Sequence, residues 1–295
     1  MRYTLRQLEV FLAVARGDSV SRAAHELAMS QSAVSGALIE LERQFDVQLF
    51  DRVGKRLQLN ALGHSLRPRA EALAEHAREI EHALDKRSDI GPLRIGATLT
   101  IGNYVTIPIM AKFLSLYPGA QITLEIANTA EIARKVTNFE IDVGLVEGEL
   151  HAAELETSPW REDELAVFCS PQHPLAGKPR LDEADLLGAA WIVRETGSGT
   201  RQAFDRSMVG LLPKLRIVLE LQHTEAILSA VEAGLGAGCV SRLALRDAFR
   251  GGRLHHCPVP GRDFRRQFYF VLHRQKYRST GIQRWLELCR TESPA

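Results

Sequence analysis

The sequence predicts an all-α winged helix-turn-helix with a long linker helix at its N-terminal end, followed by an α/β domain. Three patterns predict this architecture. Short amphipathic helices separated by small turns fill the first 60 residues, one apolar stripe runs through the next helical stretch, and short apolar strands alternate with helices after Pro92. We expect the corresponding domains at residues 1–60, 61–90 and 91–295.

The composition is that of an ordinary globular protein. Of 295 residues, 45% are hydrophobic and 25% are charged, and the net charge of +1 does not by itself indicate a partner. We find no export signal and no apolar run near the roughly 18 residues of a membrane span, and we expect a cytoplasmic protein without a membrane partner. Four widely spaced cysteines without a C-x-x-C pattern indicate reduced thiols, with no metal site and no other cofactor.

Three helices are predicted in the first part of the chain. They cover about 5–16, 22–28 and 31–45, with N-caps at Thr4 and at Ser19 or Ser21. In the third helix, apolar residues at spacings of 4, 3 and 4 predict a buried face made of Val34, Leu38, Leu41 and Phe45. This order of helices is the one in which a helix enters the major groove of DNA while the preceding helix braces it.

The outer face of the third helix and the turn after it carry groups that bind nucleic acids. Gln31 can bond an adenine edge in two places, and Ser32 and Ser35 can contact bases or phosphates. The D-R-x-G-K-R turn (51–56) is typical of a wing whose cations meet phosphates or the minor groove. Each residue alone is typical of a solvated surface, but the whole set in order predicts double-stranded DNA as the partner. The candidate DNA-binding residues are Gln31, Ser32, Ser35, Arg52, Lys55 and Arg56.

The stretch from Ala61 to about Asp85 has the pattern of one long helix. Its apolar residues recur at steps of 4, 4, 3, 4, 3 and 4, as in a coiled-coil seam: Leu62, Leu66, Ala70, Leu73, Ala77, Ile80 and Leu84. Pro68 interrupts the pattern and is expected to bend the helix or to remove one of its hydrogen bonds. Because the stripe has no domain of its own, we expect a second copy of the chain to cover it. The D-I-G-P segment (89–92) then ends the linker.

The chain resembles the LysR-type transcriptional regulators over essentially its full length. The most specific patterns are A-A-x-x-L-x-x-S-Q-S-A-V-S (23–35), L-E (41–42) and L-F-x-R (49–52). The resemblance implies a transcription regulator that forms a homodimer or homotetramer, with RNA polymerase as a further partner. Gly36 departs from the family pattern, since many members carry a cation there, and one common phosphate or base contact is therefore missing.

The remainder of the chain predicts strands at 93–96, 121–127, 141–146, 165–170, 190–193, 214–221, 238–241, 253–257 and 267–273, with helices between them. The family resemblance implies that they form a two-lobed effector-binding domain like that of periplasmic binding proteins. Lobe 1 would comprise 91–163 and 266–295, and lobe 2 would comprise 164–265. No H-E-x-x-H, G-x-S-x-G or paired-carboxylate pattern stands out, so we predict no catalytic residue and no enzyme.

Small polar residues lie at four predicted junctions between a strand and the following helix. Ligands of open α/β sheets bind beyond the carboxyl ends of the strands, where helix starts present unpaired N–H groups. One such Ser or Thr is usually an N-cap, but several converging junctions, one of them rich in glycine, favour an anion-binding cleft. The candidate effector-binding residues are Thr98, Thr100, Ile101, Asn103, Thr129, Glu147, Gly197, Ser198, Gly199, Thr200, Arg201 and His223.

The junctions also resemble one branch of the family, which includes sulfite-responsive regulators of the CysL and YeiE type and regulators of carbon-fixation operons. The shared patterns are T-x-x-I-G-N-Y (98–104), N-T-x-x-I (128–132), D-x-G-L-V-E-G (142–148) and G-S-G-T-R (197–201). The resemblance favours sulfite or another small anion as the effector. Glu147 suits a protonated anion such as bisulfite, or is a structural hinge residue. An organic or phosphorylated metabolite, and redox sensing through Cys169 or Cys239, are the alternatives.

Overall fold

A computed structural model describes residues 2–54, 56–85, 90–150 and 152–292. Its N-terminal part contains helices α1 (Leu5–Gly17), α2 (Val20–Glu26) and α3 (Gln31–Phe45), followed by an antiparallel hairpin of β1 (Phe50–Val53) and β2 (Arg56–Leu59). These elements confirm the predicted winged helix-turn-helix. Lys55, one of the predicted DNA-binding residues, lies outside the described residues.

Side-chain caps fix the starts of the three helices. The Thr4 hydroxyl accepts a hydrogen bond from the Gln7 backbone N–H at 3.2 Å, and the Gln7 side chain accepts one from the Thr4 N–H at 2.8 Å, which is a capping box. Ser19 rather than Ser21 caps α2, and α2 therefore begins before the predicted position. Ser30 caps α3.

The core of this part confirms three of the four residues predicted to be buried on α3. Val34, Leu38 and Leu41 are buried, but the prediction for Phe45 is wrong, because its side chain is 40% exposed. The helix ends at this residue, since Asp46 takes a left-handed conformation with φ 52°. The ring is therefore left at the helix end, where the Arg2 guanidinium lies 4.7 Å from its centre.

Helix α4 (Ala61–Asp85) agrees with the predicted linker helix and continues through Pro68. One side packs on the N-terminal core through the buried residues Ala70 and Ala74. Much of the predicted apolar stripe is exposed, at 47% for Leu62, 37% for Leu73, 62% for Ile80 and 76% for Leu84. The helix thus carries apolar side chains that the described part of this chain does not cover.

The first lobe of the C-terminal domain is built on three parallel strands in the order β4-β3-β5. These are β3 (Leu93–Thr98), β4 (Ile122–Ala127) and β5 (Val143–Glu147). Helix α5 (Leu99–Ile101) follows β3 and continues through a π-helical turn (Gly102–Thr106) into α6 (Ile107–Leu116). Helix α7 (Thr129–Thr137) follows β4. The C-terminal helix α12 (Thr280–Thr291) packs beside α6, with the rings of Phe113 and Trp285 5.5 Å apart.

The second lobe repeats this plan. Strands β7 (Ala190–Arg194), β8 (Arg216–Leu221) and β9 (Ala237–Ser241) form a parallel sheet with β7 in the middle. The helices are α8 (Glu183–Gly188), α9 (Gly199–Ser207), α10 (Thr224–Glu232) and α11 (Arg242–Arg250), and 3-10 turns lie at Pro174–Gly177 and Leu212–Lys214. A two-residue strand, β10 (His255–His256), follows α11.

Two long antiparallel strands cross between the lobes, which confirms the two-lobed α/β fold. They are β6 (Leu155–Cys169) and β11 (Arg265–His273), and they join the two sheets in the order β4-β3-β5-β11-β6-β9-β7-β8. The sequence predicted a strand only from residue 165, because Pro159 and the acidic residues after it are unusual in strands. The structure places Pro159 where the register with β11 shifts, a position that tolerates proline.

The helical stretch Leu99–Leu116 is one part of the described chain that is long and apolar enough to cross a membrane, with a mean hydropathy of 1.3. Four of its residues lie in the core of the first lobe: Ile101, Val105, Ile109 and Phe113. Packing against the sheet therefore explains its apolar character, as in the core helix of a globular domain.

Candidate ligand cleft and DNA interface

Hydroxyl groups from both lobes converge on one buried carboxylate. Thr98 is the last residue of β3, Thr100 lies in the short helix after it, and Thr200 lies in the first turn of α9. All three donate hydrogen bonds to the Glu147 side chain at the end of β5. Glu147 Oε1 is 3.3 Å from Thr100 Oγ1 and 3.2 Å from Thr200 Oγ1. Glu147 is only 1% exposed, so this carboxylate is sealed between the lobes.

Arg266, which the sequence analysis did not select, completes this group from β11. Its guanidinium donates to Thr200 Oγ1 at 2.9 Å and to Thr100 Oγ1 at 3.3 Å, and lies 3.4 Å from Glu147 Oε1. Its Nε donates to Asp163 on β6 at 2.6 Å. We call Thr98, Thr100, Glu147, Thr200 and Arg266 the cleft cluster. In this cluster the Glu147 carboxylate is the anionic group, and it is held by three hydroxyl donors and by one cation, the Arg266 guanidinium.

Other predicted residues form the boundary between the lobes around this cluster. Thr129 Oγ1 donates to the Glu147 carbonyl at 2.8 Å and accepts from the Gly199 N–H at 3.1 Å. The Gly197 carbonyl accepts from the start of α7 at 3.2 Å, and Ser198 caps α9. A side chain at Gly199 is excluded, because a Cβ there would lie 1.9 Å from the Glu147 carbonyl oxygen.

Three predicted side chains do not reach the cleft cluster: Asn103, Arg201 and His223. Ile101 was selected for its backbone rather than for its side chain. The Arg201 guanidinium is instead bound to Asp205 at 2.9 Å and to Glu220 at 2.7 Å. The Asp205 contact spans one helical turn, a spacing that favours such pairs. The Ile101 side chain lies in the core of the first lobe, and Asn103 and His223 are exposed to solvent.

Asp142, the first residue of the D-x-G-L-V-E-G pattern, lies at the other end of β5 from Glu147. Its carboxylate is 2.7 Å from both the Arg94 guanidinium and the Lys276 ammonium. Burial alone would raise the pKa of Asp142, but Lys276 and Arg94 outweigh that effect and hold this pKa at about 2. This ion-pair group ties β3 and β5 to the segment before α12 and has a structural role.

The predicted DNA-binding side chains lie on the surface of the N-terminal part. Gln31 and Ser32 are exposed in the first turn of α3, and Ser35 is half-buried one turn further on. Arg52 and Arg56 are exposed on the β1–β2 hairpin. The side chains predicted to contact bases and phosphates are therefore at least partly exposed to solvent.

A winged helix-turn-helix joined by a long helix to a two-lobed domain with a polar cleft defines a DNA-binding regulator with a sensor for a small molecule. The chain belongs to the LysR family of bacterial transcriptional regulators. Residues 5–64 match the bacterial regulatory helix-turn-helix proteins of the lysR family, and residues 86–294 match the LysR substrate binding domain.

Relatives from several bacteria match the chain over most of its length. The HTH-type transcriptional regulator YeiE of Escherichia coli strain K12 is 45% identical over 289 residues, covering 98% of each chain. The RuBisCO operon transcriptional regulator of Allochromatium vinosum is 33% identical over 295 residues, covering 99% of this chain and 97% of the relative. The HTH-type transcriptional regulator CysL of Bacillus subtilis strain 168 is 35% identical over 244 residues, covering 81% of each.

Solved structures share the fold. A full-length OxyR variant from Pseudomonas aeruginosa superimposes with a TM-score of 0.75 at 22% identity, covering 100% of this chain and 97% of that one. The regulatory domain of Synechocystis PCC6803 CcmR in complex with 2-PG gives a TM-score of 0.64 at 28% identity, covering 70% of this chain and 100% of that one.

Proposed function

We propose that the protein acts in the cytoplasm, binding a two-fold symmetric promoter operator as a homodimer or a pair of dimers, and that a small anion between its lobes alters this binding. The cleft cluster supports the proposal, since donors from both lobes converge on one anionic group, the Glu147 carboxylate. A ligand that bridges the lobes can change DNA binding only if the protein has two arrangements and the ligand binds one of them more tightly than the other. RNA polymerase is the further partner at such a promoter.

Sulfite, bound as bisulfite, is the first candidate effector. The cleft holds two carboxylates, Glu147 and Asp163, against the single cation of Arg266, so a dianion adds repulsion to a buried site. A protonated monoanion donates to Glu147 while it accepts from the hydroxyls and Arg266. The junction patterns shared with sulfite-responsive regulators support the same choice.

A phosphorylated organic acid is the second candidate. The CcmR regulatory domain was solved in complex with 2-PG, and the relative from Allochromatium vinosum regulates a RuBisCO operon. A ligand of that size requires Glu147 to leave the cleft cluster, because the closed lobes bury this carboxylate almost completely. Comparing the two ligands on the same protein therefore separates the two candidates.

Replacing Thr100 by Val is expected to weaken sulfite binding about 10- to 150-fold, because it removes one hydrogen bond to a charged group, worth about 1.5–3 kcal/mol, while keeping the side-chain shape. Isothermal titration calorimetry on the full chain measures the effect. Thr137→Val is the matched control, since that hydroxyl bonds the Ala133 carbonyl within α7. Equal affinities of wild type and Thr100→Val for both sulfite and a phosphorylated acid would place the ligand site elsewhere.

The exposed stripe of α4 supports self-association. An apolar groove of about 410 Å³ lies between this helix and the end of α3, lined by residues that include Phe45, Leu62 and Leu73, and the exposed Ile80 and Leu84 continue along the same helix. A second copy of α4 laid on this stripe buries these side chains and positions two helix-turn-helix units for a symmetric operator.

Replacing Ile80 by Glu is expected to shift the protein toward monomer, because it places a charge in the proposed helix–helix contact. Sedimentation velocity over a dilution series measures the change. Glu81→Gln, which alters the next exposed position, is the control and is expected to sediment like wild type. A dimer that is equally stable in both variants would exclude this stripe as the contact.

DNA binding is expected to respond differently to changes in the wing and in α3. Replacing Arg56 by Ala should weaken binding to all sequences alike and reduce the salt slope by about one unit, since one phosphate contact is lost. Replacing Gln31 by Ala should cost about 1–3 kcal/mol on the specific site only. Fluorescence anisotropy at several salt concentrations separates the two effects, and an Arg56→Ala variant that changes a single base preference would overturn the wing assignment.

A further inference from the structure

Two thiols lie next to each other at the edge of the second lobe. Cys169 ends β6, Cys257 follows the two-residue strand β10, and their sulfur atoms are 3.3 Å apart. Strand β10 pairs antiparallel with β6, which places Cys257 beside the end of that strand. The sequence pointed to Cys169 or Cys239 as redox-sensing thiols, and in the structure the thiol next to Cys169 is Cys257.

The surroundings of the two thiols shift their pKa values in opposite directions. The Cys257 thiol beside it lowers the pKa of Cys169 against the effect of burial, whereas the hydrogen bond to Cys169 and burial raise the pKa of Cys257. Burial likewise raises the pKa of Cys239 and that of Cys289. Because the thiolate is the nucleophile, these directions favour Cys169 as the sulfur that reacts first, and the separation of 3.3 Å places Cys257 to resolve it.

The local fold allows the two sulfurs to meet. A disulfide bond is about 2.05 Å long, so the sulfurs must approach each other by roughly 1.3 Å. Both thiols are buried, at 0% and 1% exposed, but β10 is a two-residue strand whose first residue, His255, is exposed, and Pro258, directly after Cys257, is exposed as well. Opening this short edge admits a small oxidant without unfolding the lobe.

We propose that Cys169 and Cys257 form a reversible intramolecular disulfide when the protein meets a peroxide. The Cys169 thiolate attacks one peroxide oxygen, the O–O bond breaks, and the departing hydroxide takes up the thiol proton to leave water and a sulfenic acid. The Cys257 sulfur then attacks Cys169, the S–O bond breaks, and the second water leaves with the Cys257 proton. Two thiols are oxidised and hydrogen peroxide is reduced to two waters. The bond ties the end of β6 to the segment that leads into β11, the two strands that cross between the lobes.

Peptide mapping of the full chain tests the proposal directly, because trypsin separates all four cysteines. Cys169 falls in peptide 162–180, Cys257 in 254–262, Cys239 in 217–242 and Cys289 in 285–290. After treatment with hydrogen peroxide and alkylation of the remaining thiols, we expect peptides 162–180 and 254–262 to be joined, two hydrogens lighter than their sum, and separated again by dithiothreitol. Peptides that all remain alkylated singly, or a different joined pair, would overturn the proposal.

Two variants sharpen the test. Cys257→Ser is expected to leave Cys169 as a sulfenic acid that a dimedone probe labels, whereas the control Cys239→Ser should form the same joined peptide as wild type. Circular dichroism establishes that each variant is folded. If Cys257→Ser fails to fold, the wild-type peptide map still decides the question. A folded Cys239→Ser variant that loses the joined peptide would contradict the assignment.

Discussion

Replacing Arg266 by Met is expected to lower the free energy of unfolding by about 3–5 kcal/mol, the usual cost of removing one partner from a buried ion pair. The variant leaves two carboxylates without their cation, Glu147 at 1% and Asp163 at 4% side-chain exposure. It also removes the donor that holds Thr100 and Thr200 in place. The same variant should lose its calorimetric signal with sulfite, since the cation that attracts the anion is gone.

The neighbouring arginine provides the control for this prediction. Arg265→Met removes a guanidinium from the adjacent position on β11, where Arg265 pairs with Asp263 at the surface. Urea unfolding of Arg265→Met should match wild type, because exposed ion pairs contribute little to stability. Should Arg265→Met and Arg266→Met lose equal amounts of stability, the buried cleft cluster would not be the reason for the loss.

Replacing Asp142 by Asn is expected to destabilise the protein by a similar amount, about 3–5 kcal/mol, because it leaves buried cations unpaired. Lys276 is 3% exposed at its side chain and Arg94 is 33% exposed, so the lysine carries most of the cost. The variant should still bind sulfite with wild-type affinity when folded, since Asp142 lies at the far end of β5 from the cleft. Urea unfolding and calorimetry on the same preparation measure both properties.

The pH dependence of this loss follows from the pKa of Asp142. In the folded protein this pKa is about 2, below its ordinary value of 3.8. The carboxylate therefore contributes its full stability above the ordinary pKa, and the contribution is lost as the pH falls through the folded pKa. The unfolding free energies of wild type and Asp142→Asn should converge as the pH is lowered over this range. A constant difference between them would show that ionisation of Asp142 is not the cause.

Local patterns were sufficient to predict the N-terminal part and most of the strands. Helix α3 follows from its apolar spacing and its cap, and α4 from its long stripe, because both depend on neighbours in the sequence. The first half of β6 was missed, since Pro159 is tolerated only by a register shift with a strand more than a hundred residues later. Phe45 was misplaced because the helix ends at that residue, which the spacing alone does not indicate.

Local patterns were also sufficient to predict part of the cleft. Thr98 ends a strand, and Thr100 and Thr200 lie at the starts of helices, so their position at the lobe boundary could be inferred from the order of elements. Arg266 joins them only because β11 crosses back between the lobes, and the three arginines at positions 262, 265 and 266 were the only local signal. Arg201 lies outside the cleft cluster in the structure, and Asp205, four residues later on the same helix, was a local signal for its ion pair.

The affinity of the full chain for its operator, titrated with sulfite, tests the central claim most directly. The operator is first defined by footprinting, and fluorescence anisotropy is then measured with and without saturating sulfite, with sulfate as the matched dianion. If the anion in the cleft is coupled to DNA binding, sulfite should change the operator affinity about 5- to 150-fold, the usual range of such coupling. Sulfate should change the operator affinity little. Sulfite should also have little effect on the Thr100→Val variant at the concentration that just saturates the wild type, because the variant binds it more weakly. An operator affinity that stays the same while calorimetry shows the cleft filled with sulfite would contradict the account.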